Sequence, residues 1–175
     1  TSWTADFNEG FANYVAAVVQ RYPQIKWVEV GNELNGASMP GATVQEKAET
    51  YYLLLKKVHE KVKAVRPDVN IVEGATANWG FDFHDELFQL GGMDYTDAAS
   101  FHVYSAESMD TSHSAQLLDE IVKSYNNGVS KPIIASEFGM DTNPGEETDM
   151  NGNRNRAQPV FETKRYIDAA GGGSL

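Results

Sequence analysis

Four short apolar runs, each parted from the next by a stretch of helical spacing, constrain this chain more than any other feature. They are Trp27 to Gly31 (WVEVG), Val69 to Gly74 (VNIVEG), Ala98 to Tyr104 (AASFHVY) and Lys131 to Gly139 (KPIIASEFG). Apolar runs this short, with short polar ends, suit strands covered on both faces. The stretches between them carry helix signals. Asp6 with Glu9 resembles a capping box ahead of Phe11, Tyr14, Val15, Val18 and Val19. Thr43 with Glu46 is a stronger one, because a threonine hydroxyl can take an orphan N–H while the glutamate reaches back. The stripe Tyr51, Leu54, Leu55, Val58, Val62 and Val65 follows it at helical spacing until Pro67. Further helices are expected over Phe83 to Leu90, Gln116 to Tyr125 and Ala157 to Ala169.

Strand–helix units of roughly 30 to 40 residues imply parallel strands with right-handed crossovers. Either a doubly wound sheet or a (β/α)8 barrel satisfies that pattern. A doubly wound nucleotide binder would carry a glycine-rich phosphate turn, and neither G-x-G-x-x-G nor G-x-x-x-x-G-K-[ST] occurs in the sequence. The polar residues Asn32-Glu33, His102 with Tyr104, and Glu137 all fall at carboxyl ends of strands. A barrel gathers those ends around one mouth, where enzymes of that fold do their chemistry. A whole barrel needs roughly 200 residues or more, so 175 residues with four strands predict a partial barrel, about strands four to seven with their helices. On this reading residues 1–175 belong to one domain with two open sheet edges, closed by a second copy or a further segment.

Two carboxylates carry the expected chemistry. Glu33 follows a strand that must be buried, and Glu137 ends another apolar strand three strands on. Facing each other across one mouth, they would supply the nucleophile and the acid of a retaining glycosidase, which needs the two roughly 5 to 5.5 Å apart. His102 and Tyr104 alternate onto the same side of the strand next to that of Glu137, where N–H and O–H donors would stabilise a carboxylate. Trp79, Asn78 and Asn35, in loops at the same mouth, are candidate sugar contacts: an indole packs on the C–H face of a sugar and the amides meet its hydroxyls. Trp27, inside a strand, is expected in the core.

Other chemistries are disfavoured. A formal charge of −11, from 14 basic and 25 acidic residues, leaves no basic face for nucleic acid. No apolar run approaches the roughly 20 residues of a membrane span. Without cysteine there is no thiolate metal site. The acidic cluster around Asp82, His84, Asp85 and Glu86 suits a helix start, and the acidic loop Asp141 to Asp149, ending in Asp-Met-Asn-Gly-Asn, lacks the sixth-position glycine and twelfth-position glutamate of a calcium-binding loop. Neither metal nor cofactor is expected.

Together, Gly31-Asn32-Glu33 at a strand end, His102-x-Tyr104 two strands on and Glu137-Phe138-Gly139 one strand later resemble glycoside hydrolase clan A, with cellulase-like and β-xylosidase-like character, over about residues 7–170. That resemblance implies a (β/α)8 retaining glycosidase acting on β-linked oligo- or polysaccharides. By it, Glu33 is the acid/base after strand four and Glu137 the nucleophile after strand seven. Asn32 binds the sugar 2-hydroxyl, and His102 and Tyr104 position Glu137. Secretion is expected by the same likeness. The alternative from another class is a non-catalytic, carbohydrate-binding or scaffold half-barrel that has kept the mouth.

Overall fold

The computed structural model describes residues 3–78, 80–104 and 108–139. The helix expected over 157–169, the acidic loop 141–149 and Trp79 lie outside the described residues. The chain alternates as the apolar runs require: α1 (Ala5–Arg21), β1 (Trp27–Val30), α2 (Val44–Val65), β2 (Asn70–Glu73), α3 (Phe81–Gln89), a 3₁₀ turn (Gly92–Tyr95), β3 (Ala99–Tyr104), α4 (Ser108–Tyr125) and β4 (Ile133–Gly139). It is a mixed α/β fold with short parallel sheets.

Local chemistry sets the boundaries. Thr43 and Glu46 form the expected capping box, with the Glu46 N–H donating to Thr43 Oγ1 at 3.1 Å. The start of α1 differs from the expected Asp6–Glu9 box. Thr4 is the cap and accepts from the Phe7 N–H at 3.1 Å, because a hydroxyl two residues upstream is better placed for that orphan donor. The 3₁₀ turn after α3 was not expected; Gly91, at φ 92°, leaves the helix in the left-handed conformation that leads into it.

β1 pairs in parallel with β2, and β3 with β4. Parallel bridges at Val72–Ala98 and Thr76–Phe101 join the two pairs, so the spatial order is β1-β2-β3-β4. Each helix packs on the next, and α4 packs on β3 and β4. Tyr51, Leu55, Val58, Ile71, Phe83, Leu87, Phe101 and Leu118 fill the space between helices and strands. The strand face turned away from these residues is concave. Strands about 4.8 Å apart in a flat sheet would separate β1 and β4 by about 14 Å, more than a glutamate and a serine can bridge. Yet the Ser136 hydroxyl of β4 donates to Glu29 Oε1 of β1 at 2.8 Å. The sheet therefore curls strongly, as sheets that close on themselves do.

Trp27 corrects an expectation. Expected in the core, it is 48% exposed. In β1 the residues Val28 and Val30 face the helices, which leaves Trp27 and Glu29 on the concave face by alternation. Among the described residues no strand covers the other edge of β1.

At the base of the sheet, Asp97 Oδ2 accepts from the Ile71 N–H at 2.8 Å and from Lys63 Nζ at 2.7 Å. Partial burial pushes the Asp97 carboxyl up, but the Lys63 ammonium and the Ile71 N–H outweigh it and hold the group below its ordinary value of 3.8. A depressed carboxyl stabilises the fold fully above its ordinary value and loses that contribution as pH falls through the folded-state value. Asp97→Asn is thus expected to cost about 1 kcal/mol at pH 7, a figure kept low because the carboxylate meets water. The gap from the parent should shrink as the pH approaches 3. Urea unfolding of both proteins at neutral and acid pH checks this; a gap independent of pH would remove the ion pair from the account.

Candidate active site

The carboxyl ends of the four strands meet on the concave side. β1 and β2 are locked together there by Tyr51, whose hydroxyl donates to the Val30 carbonyl at 2.5 Å and accepts from the Gly74 N–H at 2.7 Å. Burial pushes that phenol well above its usual range, so it stays a donor. Gly74 is required, since a Cβ there would lie 2.4 Å from the Val30 oxygen. Past this lock the chain turns out of the sheet through Gly31, at φ 108°, and reaches Glu33 at φ 49°. A non-glycine residue held in the left-handed region is uncommon and concentrates at functional sites. The Leu34 N–H bonds to the Ala75 oxygen at 3.1 Å and the Gly36 N–H to the Glu33 oxygen at 2.8 Å, pinning Glu33 on both sides.

His102, on β3, is 1% exposed, and its main-chain N–H donates to the Thr76 carbonyl oxygen at 2.9 Å. Its Nδ1 lies 3.5 Å from Glu33 Oε1 and 3.6 Å from Glu137 Oε2. At these lengths the imidazole is a polar wall between the carboxylates rather than a tight partner of either. Tyr104, two residues on and 54% exposed, donates its hydroxyl to Glu137 Oε2 at 2.6 Å. That bond to Glu137 is the main reason the phenol is pushed up from its ordinary value. One ligand-type atom each of Glu33, His102 and Glu137 falls within 4.8 Å of the others. The side chains of Glu33 and Glu137 are 41% and 44% exposed, so both can meet a ligand.

No metal is expected from the sequence, yet these three side chains form a cluster of possible ligands at the strand ends. The oxygen of Glu137 nearest His102 also accepts the Tyr104 proton.

The remaining candidates fall around this centre. Asn32 is exposed and borders an apolar cavity of about 270 Å³ walled by Trp3, Phe7, Phe11, Leu34 and Met39. Asn78, at φ 49°, accepts from the Tyr104 N–H through Oδ1 at 3.3 Å. Asn35 donates to the Ala77 oxygen at 3.0 Å and accepts from the Ala77 N–H at 2.8 Å. Its carboxamide thus ties the β1 loop to the β2 loop.

Two features were missed in the sequence. Glu29, from the concave face of β1, accepts from Ser100 and Ser136; a lone acid inside an apolar strand was the signal for it. Glu73 and His84 are fully buried on the helix side, 2.7 Å apart, with Thr76 Oγ1 3.1 Å from the other ring nitrogen. The carboxylate–imidazole contact is close but not aligned as a hydrogen bond. Helical spacing around Phe83 and Leu87 would have put His84 inside.

Comparison with known proteins agrees with the fold. A GH2 β-galacturonidase from Eisenbergiella tayi, solved bound to galacturonate, superposes with a TM-score of 0.60 at 16% identity, over 94% of this chain and 27% of its own. An α-L-arabinofuranosidase from Thermotoga maritima, an arabinose complex, gives 0.53 at 18% identity over 97% of this chain and 39% of its own. A family 51 α-L-arabinofuranosidase from Bifidobacterium longum gives 0.51 at 16% identity over 69% and 28%. The chain therefore spans only about a quarter to two fifths of these structures. No curated protein matches the sequence. Residues 1–170 match the family described as glycosyl hydrolase catalytic core. With that match over nearly its whole length, the chain belongs to the glycosyl hydrolase catalytic core family.

Proposed function

We propose that the chain carries the catalytic carboxylates of a retaining glycoside hydrolase acting on β-linked oligo- or polysaccharides. The observation that carries this is the closeness of Glu33 and Glu137: an oxygen of one, brought in from the opposite edge of the strand array, lies within 4.8 Å of an oxygen of the other. Oxygens this close fit the roughly 5 to 5.5 Å between the carboxyl groups of retaining enzymes better than the 6.5 to 9.5 Å that leaves room for an inverting water.

The roles follow from the neighbours. Glu137, oriented by the Tyr104 hydroxyl that donates to it, attacks the anomeric carbon as the bond to the leaving oxygen breaks. Glu33 gives its proton to that oxygen, and a covalent glycosyl ester on Glu137 results. Glu33, now a carboxylate, takes a proton from water, whose oxygen displaces Glu137 and releases the sugar with its configuration retained. Asn32, exposed beside Glu33, is assigned to the 2-hydroxyl, and Trp79 to a sugar face. Asn78 and Asn35 are assigned to substrate through the loops they hold.

Residues 1–175 are read as part of one (β/α)8 catalytic domain, about strands four to seven. The sequential parallel order and the curl across β1 to β4 support a barrel, since a doubly wound sheet reverses its order. A second copy or a further segment would close the open edge of β1.

The test is the anomer first formed from an aryl β-glycoside, followed by proton NMR before mutarotation. The β anomer is expected. First appearance of the α anomer means inversion, and the double displacement assigned here would be wrong.

A further inference from the structure

The register of β4 holds a detail that bears on Glu137. Ala99, Ser100 and Phe101 face Ile133, Ile134 and Ala135, but His102 faces Glu137, so Ser136 is an extra residue, a β-bulge. In a regular strand neighbours point to opposite faces. Ile134 shares the concave face with its partner Ser100, so plain alternation would send Ser136 and Phe138 inward and Glu137 toward the helices. With the bulge, both Ser136 and Glu137 turn to the concave side, as bulges beside active sites commonly re-aim a side chain.

An extra residue in a strand has no ladder partner to hold it. The structure supplies one from across the sheet. The Ser136 hydroxyl donates to Glu29 Oε1 at 2.8 Å, and Ser100 Oγ lies 2.6 Å from the same oxygen and 2.7 Å from the Glu73 carbonyl. Glu29 thereby joins β1, β3 and β4, four residues before Glu33, two before His102 through Ser100, and one before Glu137 through Ser136.

We propose that Glu29 is a positioning residue whose carboxylate clasps the β4 bulge and so aims Glu137 at Glu33. The proposal rests on the two-carboxylate function above. It assigns Glu29 no contact with substrate: what it sets is the spacing and aim of the reacting pair. A displacement of about 1 Å at a reacting group can cost about 100-fold in rate.

In the intact enzyme on an aryl β-glycoside, Glu29→Ala is expected to lower kcat about 10- to 100-fold with KM within about twofold. Ser136→Ala should lower kcat in the same sense by less, and the double variant should be no worse than Glu29→Ala alone, since both remove one contact. Glu29→Gln keeps an acceptor oxygen in place and should recover most of the loss. Rates are taken per active site, titrated with a 2-deoxy-2-fluoro glycosyl fluoride, so that poor folding does not pass for poor catalysis. If Glu29→Ala cannot be produced folded, Ser136→Ala and Glu29→Gln decide. Ser136→Ala at the parent kcat, or Glu29→Ala at the parent kcat per titrated site, overturns the clasp while the hydrolase assignment stands. Activity surviving in Glu137→Ala overturns the hydrolase assignment instead.

Discussion

Glu137→Ala is expected to lower kcat on an aryl β-glycoside by about 10⁴-fold or more, because the residue that forms the covalent intermediate has no substitute at its position. The fold should survive, since the side chain is 44% exposed and contributes little to the core. Tyr104 loses the acceptor of its hydroxyl but can turn to water, as its ring is already half-exposed. The vacated space then offers a second readout. A small anion such as azide can enter from the opposite side to the leaving group and attack in place of the carboxylate. With no second displacement to follow, its product must carry the inverted configuration, an α-glycosyl azide. Recovery of rate with that product identifies Glu137 as the nucleophile. A variant within 100-fold of the parent, or azide rescue with retention, removes Glu137 from that role.

Much of this arrangement was legible in the sequence, and the failures have physical causes. Short apolar runs with polar ends located every strand to within two residues, because the face of each strand packed on the helices must be apolar enough to stay buried. Alternation placed His102 and Tyr104 on one face, and both do reach Glu137. The same rule fails one strand later. Counted from Ile134, Glu137 belongs on the helix side, and only the bulge at Ser136 brings it inward. A bulge changes two neighbouring positions and leaves no periodic trace, so Glu137 was found as a strand end and by likeness, not by counting. Trp27 failed for a different reason: its apolar neighbours argued for burial, but burial depends on what covers the concave face, which the local pattern does not encode. Asn35 lay in the right loop, yet an amide there can meet either a sugar or the Ala77 main chain, and residue type alone does not separate them.

Glu33→Ala is expected to have the second largest effect, and its size should depend on the leaving group, which sets an acid/base residue apart from a nucleophile. When a sugar or alkyl oxygen departs, the bond cannot break without a proton, and kcat/KM should fall about 10²- to 10⁴-fold. A dinitrophenolate departs unaided, so on that glycoside kcat/KM, which reports the first step, should stay within about tenfold of the parent. The second step still needs a base to activate water. The glycosyl ester on Glu137 should therefore accumulate, with a burst of phenolate, a lowered kcat and a lowered KM. Azide bypasses the base because it attacks without losing a proton; it should raise kcat and give the β-glycosyl azide, opposite in configuration to the Glu137→Ala product. The two substitutions remove the same functional group from positions whose oxygens lie within 4.8 Å, and the different azide anomers follow from which displacement each residue serves. Equal losses on all leaving groups, or one anomer from both variants, would mean that the pair does not divide the two steps as assigned.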